Sequence, residues 1–563
     1  MSQLSPTERM SAVRLRIDRM RRAALARLLL SPALRWRYGA AVADELLIVP
    51  RDLRTGDPSF FDELKAGQIG LGGFVAPLEG RSPFALPAPS KPWARELHGF
   101  GWLRHLRVRR ELEADEAARE LVCDWIKGRR RTDPVAREPQ VIGRRIISWI
   151  TCANMLLGGE DQARYDLVTD SLADQLIHLS ATWRDASDGY PRLLAVTALL
   201  YADLCVAGRD RQLKGAEALF TAEVGRQILP DGCHISRNPG LLVELLLDFL
   251  PLNQCFKSRN RTPPAALQSA IDRMLLLVQH LRLGDGTIAR FNGVGPAADD
   301  AVATVMAYLP SDMPALAAAP SSGYVRLAAG DTVVVVDAGA APPLEFTADA
   351  HAGCLSFELS SGHQAILVNG GAPGMCDQDW RSAARGTASH NTVSIGGKSS
   401  AKLVRNVLLE KLLDAIPLRH PERVDAELSA DRRRVVARHD GYLGVFGLVH
   451  KRTLALSENG RKLTGRDEIG APAGRMRLAN DLPFAVHFHL HKRATARLGR
   501  SPDTVEIHLA GGELWLFSAS GGVISIEDSV HYADLAGPVA VEQIVIRGAC
   551  PGESTIDWTL EGM

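Results

Sequence analysis

The sequence predicts a chain in two parts, a helical domain followed by an all-β antiparallel domain. From about Ala94 to Pro310 apolar residues recur at helical spacing in segments long enough for three or more turns. The stretch PSDMPALAAAPSSG (310–323) then has the Pro, Ala and Ser composition of a linker and no period. Beyond it come short runs rich in β-branched and aromatic residues, with turn signals between them. At 563 residues the chain also exceeds one comfortable core. The division expected is an N-terminal arm and helical lead-in over 1–90, a helical domain over 91–312 and an antiparallel β-domain over 313–563.

In chain order, residues 20–34 place arginines before AALARLLL, which imitates an export signal. Arg27 interrupts the apolar run and no A-x-A site follows, so the stretch reads as a basic amphipathic arm packed on the body rather than a signal or a membrane-surface helix. ARELVCDWIKG, GRRIISWITCANMLLG, LADQLIHLSATWRD, RLLAVTALLYADLCVAG, GAEALFTAEVGRQIL and GLLVELLLDFLPL follow as helices, most ending near Gly, Asp or Pro. Short loops between them imply antiparallel helix pairs. The most apolar of them, from Leu241, carries Glu244 and Asp248 and is too short and too charged to span a bilayer. Those two acids stand at i and i+4, on one face, and read either as cleft acids or as a solvated face. The tryptophans of this half read as core, except Trp102 as a cleft residue.

The β-half is organised around 347–395, TADAHAGCLSFELSSGHQAILVNGGAPGMCDQDWRSAARGTASHNTVSI. Leu355, Phe357 and Leu359 alternate with Ser356, Glu358 and Ser360, the period of a half-buried strand. His351 and His390 sit at strand entrances, where a sheet holds loops in place and chemistry is commonly mounted. Further on, His487, His489 and His491 alternate in AVHFHLHK and read as the polar side of a strand, solvated or facing a glycan. His439 and His450 flank a predicted hairpin and read as structural. The charge balance, 66 basic against 65 acidic residues, supplies no field to hold nucleic acid. Eight scattered cysteines with no C-x-x-C pair read as reduced core residues, which favours the cytoplasm over the periplasm.

Taken together, RRIISWI (144–150), PDGCHISRNP (230–239), AHAGCLSFEL (350–359), SHNTVSIGG (389–397) with Trp380 and Arg385 upstream, and HDGYLGVFGLVHKRTL (439–454) resemble the heparinase II/III-like polysaccharide lyases over most of the chain. The resemblance implies an incomplete (α/α) toroid followed by an antiparallel β-sandwich, with a glycan cleft where they meet. It implies β-elimination on a uronic acid: the C5 proton is removed, the C4 oxygen leaves, and Asn, His or Arg neutralises the carboxylate while His or Tyr moves the proton. The partner implied is an acidic poly- or oligosaccharide. The residues matching these roles are His234, Asn238 and His351, with Tyr190 and Arg192 adjacent to a missing pair. Arg237, Trp102, Trp380 and Arg385 match substrate contacts.

The chain departs from that pattern at three places. Pro191-Arg192 stands where active relatives carry Asn-His, Leu241 where they carry a Tyr, and Asp349 where many open the β-domain with the first His of His-x-His. No cofactor is required, but the resemblance also implies a structural zinc, on His351, Asn369 and His390. The neutral Asn369 there replaces a carboxylate that Asp349 or Asp377 would have to supply. Two functions stay open: a lyase acting on uronate glycans, or a catalytically impaired glycan-binding protein that keeps the lyase fold.

Overall fold

The computed structural model describes residues 6–29, 31, 45–128, 133–159, 161–296, 299–374, 378–413, 415–472, 481–535 and 537–563. The chain divides into two compact units, Met1–Ile228 with Glu244–Ile271, and Leu229–Val243 with Asp272–Met563. Residues 229–243 and 272–312, helical-domain sequence by the pattern above, thus group with the strands.

In the first unit the helices Pro139–Thr151 and Tyr190–Cys205 pack closely, flanked by Lys91–Gly99, Gln162–Thr182 and Asp210–Gln227. Gly143 is the contact point: a Cβ there would meet the Ala195 Cα at 3.2 Å, so the absence of a side chain sets the spacing of the two helices. The Tyr190–Cys205 helix is buried at every position from Leu193 to Cys205. A helix buried all round is a central one, and its sequence is largely apolar, with only Thr197 and Asp203 polar in the buried stretch. Trp93, Trp102, Trp125 and Trp149 all lie in the core, where Phe100 meets Trp102 at a tilt and Trp125 and Trp149 edge-on. Among the described residues no helix is long and apolar enough to cross a membrane.

The second unit is antiparallel throughout its paired strands. An eight-stranded sheet runs in the order Val424–Leu428, Arg434–His439, Val449–Leu456, Lys462–Gly470, Glu553–Gly562, Leu514–Ser520, Thr504–Leu509, Ala494–Leu498. One four-stranded sheet holds Val523–His531, Val539–Cys550, Leu482–His489 and Val393–Ile395, and another holds Tyr324–Ala329, Thr332–Asp337, Phe357–Ser361 and Gln364–Leu367. Their inward faces share one apolar core, with Phe357, Phe488, Phe517 and Trp558 in mutual ring contact.

Two expectations change here. The 355–360 segment is not half-buried: Ser356, Glu358 and Ser360 are as inaccessible as their apolar neighbours, because this strand is covered on both faces. Leu355 lies outside the strand, which starts at Phe357, and adopts φ 61°, a left-handed turn into it. Two of the three alternating histidines are likewise dry, while His491, past the end of the strand, is half-buried. His487 and His489 are buried, their rings stacked 6.1 Å apart, and they bond Gln543, Ser394 and Ser529. A polar face in a strand pattern signals polar neighbours as readily as water.

Candidate functional site

The first unit contains a cavity of about 390 Å³, in the size range of small-ligand sites. The Pro139–Thr151 helix brings Arg144, Ile147 and Ser148 to it, the start of the Tyr190–Cys205 helix brings Tyr190, and the Pro239–Ser258 helix brings Glu244 and Asp248. Arg51, Asp52 and Arg54 come from an irregular lead, Glu96, Trp102 and Arg104 from the 91–107 segment.

An ion network forms one wall. Arg144 gives Asp248 two bonds of 2.9 Å, and Arg54 gives it a third of 2.8 Å while also bonding Glu244 at 2.9 Å. Burial alone would raise the Asp248 carboxyl, but the two guanidinium charges outweigh it and hold the group at about 2. Arg144 also donates to the Tyr190 hydroxyl at 2.8 Å. Burial raises the Tyr190 phenol above its ordinary value, against the pull of Arg144. Arg104 is different. It bonds the carbonyls of Thr55 and Gly101 and makes no ion pair among the described residues, and burial together with the Arg54 charge depresses it. The cavity therefore offers one half-buried cation without an ion pair among the described residues, a phenol and several carboxylates around a space large enough for a sugar ring or two.

The second unit gathers the remaining family positions. Arg237, at φ 59°, sends its guanidinium to the carbonyls of Ser322 (2.7 Å) and Gly339 (3.3 Å) and to the Asp337 carboxylate, over the Tyr324 ring. Asn292 bonds the other Asp337 oxygen at 3.0 Å and accepts the His351 backbone N–H at 3.3 Å, so the 230–239 segment and His351 are tied through two residues. His234 is buried, its Nδ1 2.7 Å from the Ser236 hydroxyl and its ring edge-on to Phe346. Asn238 is buried, accepts the Gly240 N–H at 2.9 Å and bonds Asp349. Gly293 closes over this pair, since a Cβ there would stand 2.6 Å from Asp349.

The other candidates scatter. Tyr190 lines the first-unit cavity, while Arg192, two residues on, turns to Asp188 (2.5 Å) and the Ala186 carbonyl. Trp102 also lines the cavity, but it is buried, with its indole N–H on the Leu97 carbonyl, and so forms wall rather than stacking platform. Arg385 spends its guanidinium on the carbonyls of Ala350, Ile416 and Thr347. Trp380 is 43% exposed, edge-on to Tyr532. Sequence reasoning did not single out Arg54, Arg104 or Glu96. Arg144 had a signal in the RRIISWI motif, and Glu244 and Asp248 in their i, i+4 spacing.

Residues 312–559 match the family described as Heparinase II/III-like, C-terminal. The chain is 30% identical over 513 residues to FtsZ-localized protein C of Caulobacter vibrioides, spanning 86% of this chain and 84% of that protein. The chain belongs to the heparinase II/III-like family. Solved structures agree on the fold: a heparinase III superposes with a TM-score of 0.66 at 13% identity (95% of this chain, 85% of that one). The heparan sulfate lyase HepC from Pedobacter heparinus does so at 0.59 and 15% (97% and 87%). An N-terminal helical region followed by antiparallel sheets is the arrangement shared with those heparinase III structures.

The zinc that the heparinase II/III-like resemblance implies does not fit the residues present. His390 Nδ1 faces the Gly386 carbonyl at 2.7 Å and must carry its proton, so His390 Nε2 accepts from His351 Nδ1 at 3.0 Å. The lone pair a metal needs is thereby used. Asn369 Oδ1 is likewise engaged by the Asn391 N–H at 2.9 Å. Among the described residues no three His, Cys, Asp or Glu side chains converge as a metal set. Asp349 is taken by Asn238, and Asp377 lies outside the described residues.

Proposed function

We propose that this protein is a glycan-binding member of the lyase-like family, holding a short acidic saccharide in the first-unit cavity without eliminating it efficiently. The carrying observation is Arg104, a half-buried guanidinium that among the described residues forms no ion pair, on the wall of a cavity of saccharide size. A uronate carboxylate is the complement such a group lacks, and the alternating acids and arginines around it suit sugar hydroxyls. Against efficient elimination stand Pro191-Arg192 and Leu241 in place of the family's Asn-His and Tyr. His234 and His351 are buried with protein partners, and the raised Tyr190 phenol is a poor base.

The lyase reading keeps one supporting contact, Arg144 on the Tyr190 hydroxyl, because a guanidinium beside a phenol is the kind of pair that could move the C5 proton. One assay separates the two. The protein is incubated with heparan sulfate, alginate and other uronates while the ultraviolet absorbance of the unsaturated product is followed, and binding is measured in parallel. Binding with no absorbance rise is expected; steady product formation that Tyr190→Phe abolishes would establish the lyase instead.

The 30% identity with FtsZ-localized protein C further supports a place beside FtsZ in the cell. A fluorescent fusion should form a band coincident with FtsZ and disperse when FtsZ is depleted. A diffuse signal in dividing cells would remove this reading and leave the glycan reading untouched.

A further inference from the structure

The second unit gathers basic side chains whose donors are shielded and unused. Arg290 Nε and Nη1 are closed off from water and bond nothing among the described residues, where the guanidinium also makes no ion pair. His531 is buried and leaves its Nδ1 in the same state. Buried polar groups are otherwise partnered almost without exception, so several such donors at one place call for a ligand that supplies acceptors. The backbone builds the place. Tyr532 and Ala533 both donate to the Gly370 carbonyl, at 2.7 and 3.2 Å, and a Cβ on Gly371 (φ 69°) would stand 2.5 Å from the Ala533 Cβ and 3.2 Å from the Arg290 Cδ. The turn after the Val523–His531 strand is thereby pressed against the Arg290 side chain. His491 is fixed by its N–H on the Ile366 carbonyl at 3.0 Å. After burial, the Arg290 charge acts most strongly on both His491 and His531, and His531 also feels His491. Burial and that charge keep the two imidazoles neutral, lowering them to about 4 and about 3.

We propose that Arg290, His491 and His531 bind a small tetrahedral oxyanion, a phosphate ion or the phosphate group of a monoester. The acids nearby are already answered. Asp534 pairs with Lys492, and Asp285 accepts from the Thr287 N–H and hydroxyl at 3.0 and 2.8 Å. Glu358 takes the Asn369 N–H on one oxygen at 2.8 Å, and its other oxygen, shielded and unpartnered, carries a proton to donate below about 7, the value to which burial raises the carboxyl. A planar carboxylate is met by one guanidinium edge, whereas donors arriving from three segments suit oxygens that point in several directions. Neutral imidazoles still offer one N–H each. A metal cation would be repelled by the guanidinium.

The test is titration calorimetry on the full chain, in chloride buffer of matched ionic strength, with inorganic phosphate, glycerol 3-phosphate and acetate. Saturable binding is expected with phosphate and not with acetate. Binding of glycerol 3-phosphate assigns the site to an ester, and binding of inorganic phosphate alone to the free ion. Arg290→Gln should lower the affinity at least about tenfold, the loss of a charge-assisted hydrogen bond, and His491→Leu about threefold or more. Phosphate stabilises folded proteins in general, so a rise in unfolding temperature counts only where parent and variant differ. If Arg290→Gln fails to fold, His491→Leu, at a half-buried position, carries the decision. The proposal is overturned if neither phosphate gives saturable heat with the parent, which would leave these donors to water, if acetate binds as tightly, or if either folded variant binds phosphate like the parent.

Discussion

Arg144 and Asp248, 104 residues apart, face each other through two parallel hydrogen bonds of 2.9 Å, and the carboxylate is nearly inaccessible to water. Arg54 adds a third bond to the same carboxylate, from 194 residues away. One buried anion thus fixes two cationic side chains of the cavity wall. The geometry is worth more in what it prevents than in what it adds, because removing the anion would strand two buried guanidinium groups.

Asp248→Ala should accordingly destabilise the protein by roughly 3–5 kcal/mol, the cost of leaving buried charge unpaired. Acid should act on the same group. Its folded value of about 2 lies below the ordinary 3.8, so its contribution, about 2 kcal/mol, is present above pH 4 and is lost as pH falls toward 2. Chemical denaturation of parent and variant across that window should show the parent losing more stability; parallel losses would contradict the assignment.

Arg104→Gln should weaken an acidic oligosaccharide about tenfold, the loss of a charged hydrogen bond worth about 1.5 kcal/mol, and leave a neutral one nearly unaffected. Titration calorimetry with an alginate oligomer and a neutral oligomer measures both. Equal losses on the two ligands would move the carboxylate contact elsewhere.

In the second unit Asp467 accepts from Arg452 (2.7 and 3.0 Å), His450 (2.8 Å) and the Trp558 indole (2.9 Å), wholly shielded from solvent. Asp467→Ala should lower stability by roughly 3–5 kcal/mol, more than a double change that also replaces Arg452 with Met, because the second change removes the stranded charge. A urea series on the three proteins checks the order.

Glu358 carries the opposite pH signature. Burial pushes its carboxyl up from 4.5 to about 7, so stability is full below pH 4.5 and falls as pH rises through 7, by about 3 kcal/mol. In Glu358→Gln that decline should flatten, as thermal unfolding between pH 5 and 8 would show.

Added zinc or a chelator should leave the unfolding temperature unchanged, since His390 Nε2 and Asn369 Oδ1 already accept hydrogen bonds within the fold. A stabilisation that rises with zinc concentration and disappears in His390→Gln would reverse that conclusion.

The helices and strands were legible because each buries a face, and a buried face writes its period into the chain: the largely apolar Tyr190–Cys205 helix and the alternating Val449–Leu456 strand are both plain in the letters. The sequence showed Glu244 and Asp248 on one helical face but left open whether that face met water or a cavity. It showed histidines alternating at 487 and 489 and could not tell a wet face from a dry one, because imidazole suits either.

By itself the sequence determined the order of the two kinds of structure, the family, and the departures at 191–192 and 241, all of which depend on residue type and local spacing. Only the tertiary structure decided which polar groups are spent and which remain available. Arg237 is absorbed by carbonyls and by Asp337 and Arg385 by three carbonyls, whereas Arg104, held by two carbonyls and by no carboxylate among the described residues, stands on a cavity wall. The reason is that a charge is answered by whatever the fold brings within about 3 Å of it, and those partners stand up to nearly two hundred residues away along the chain, as Arg54 and Asp248 do.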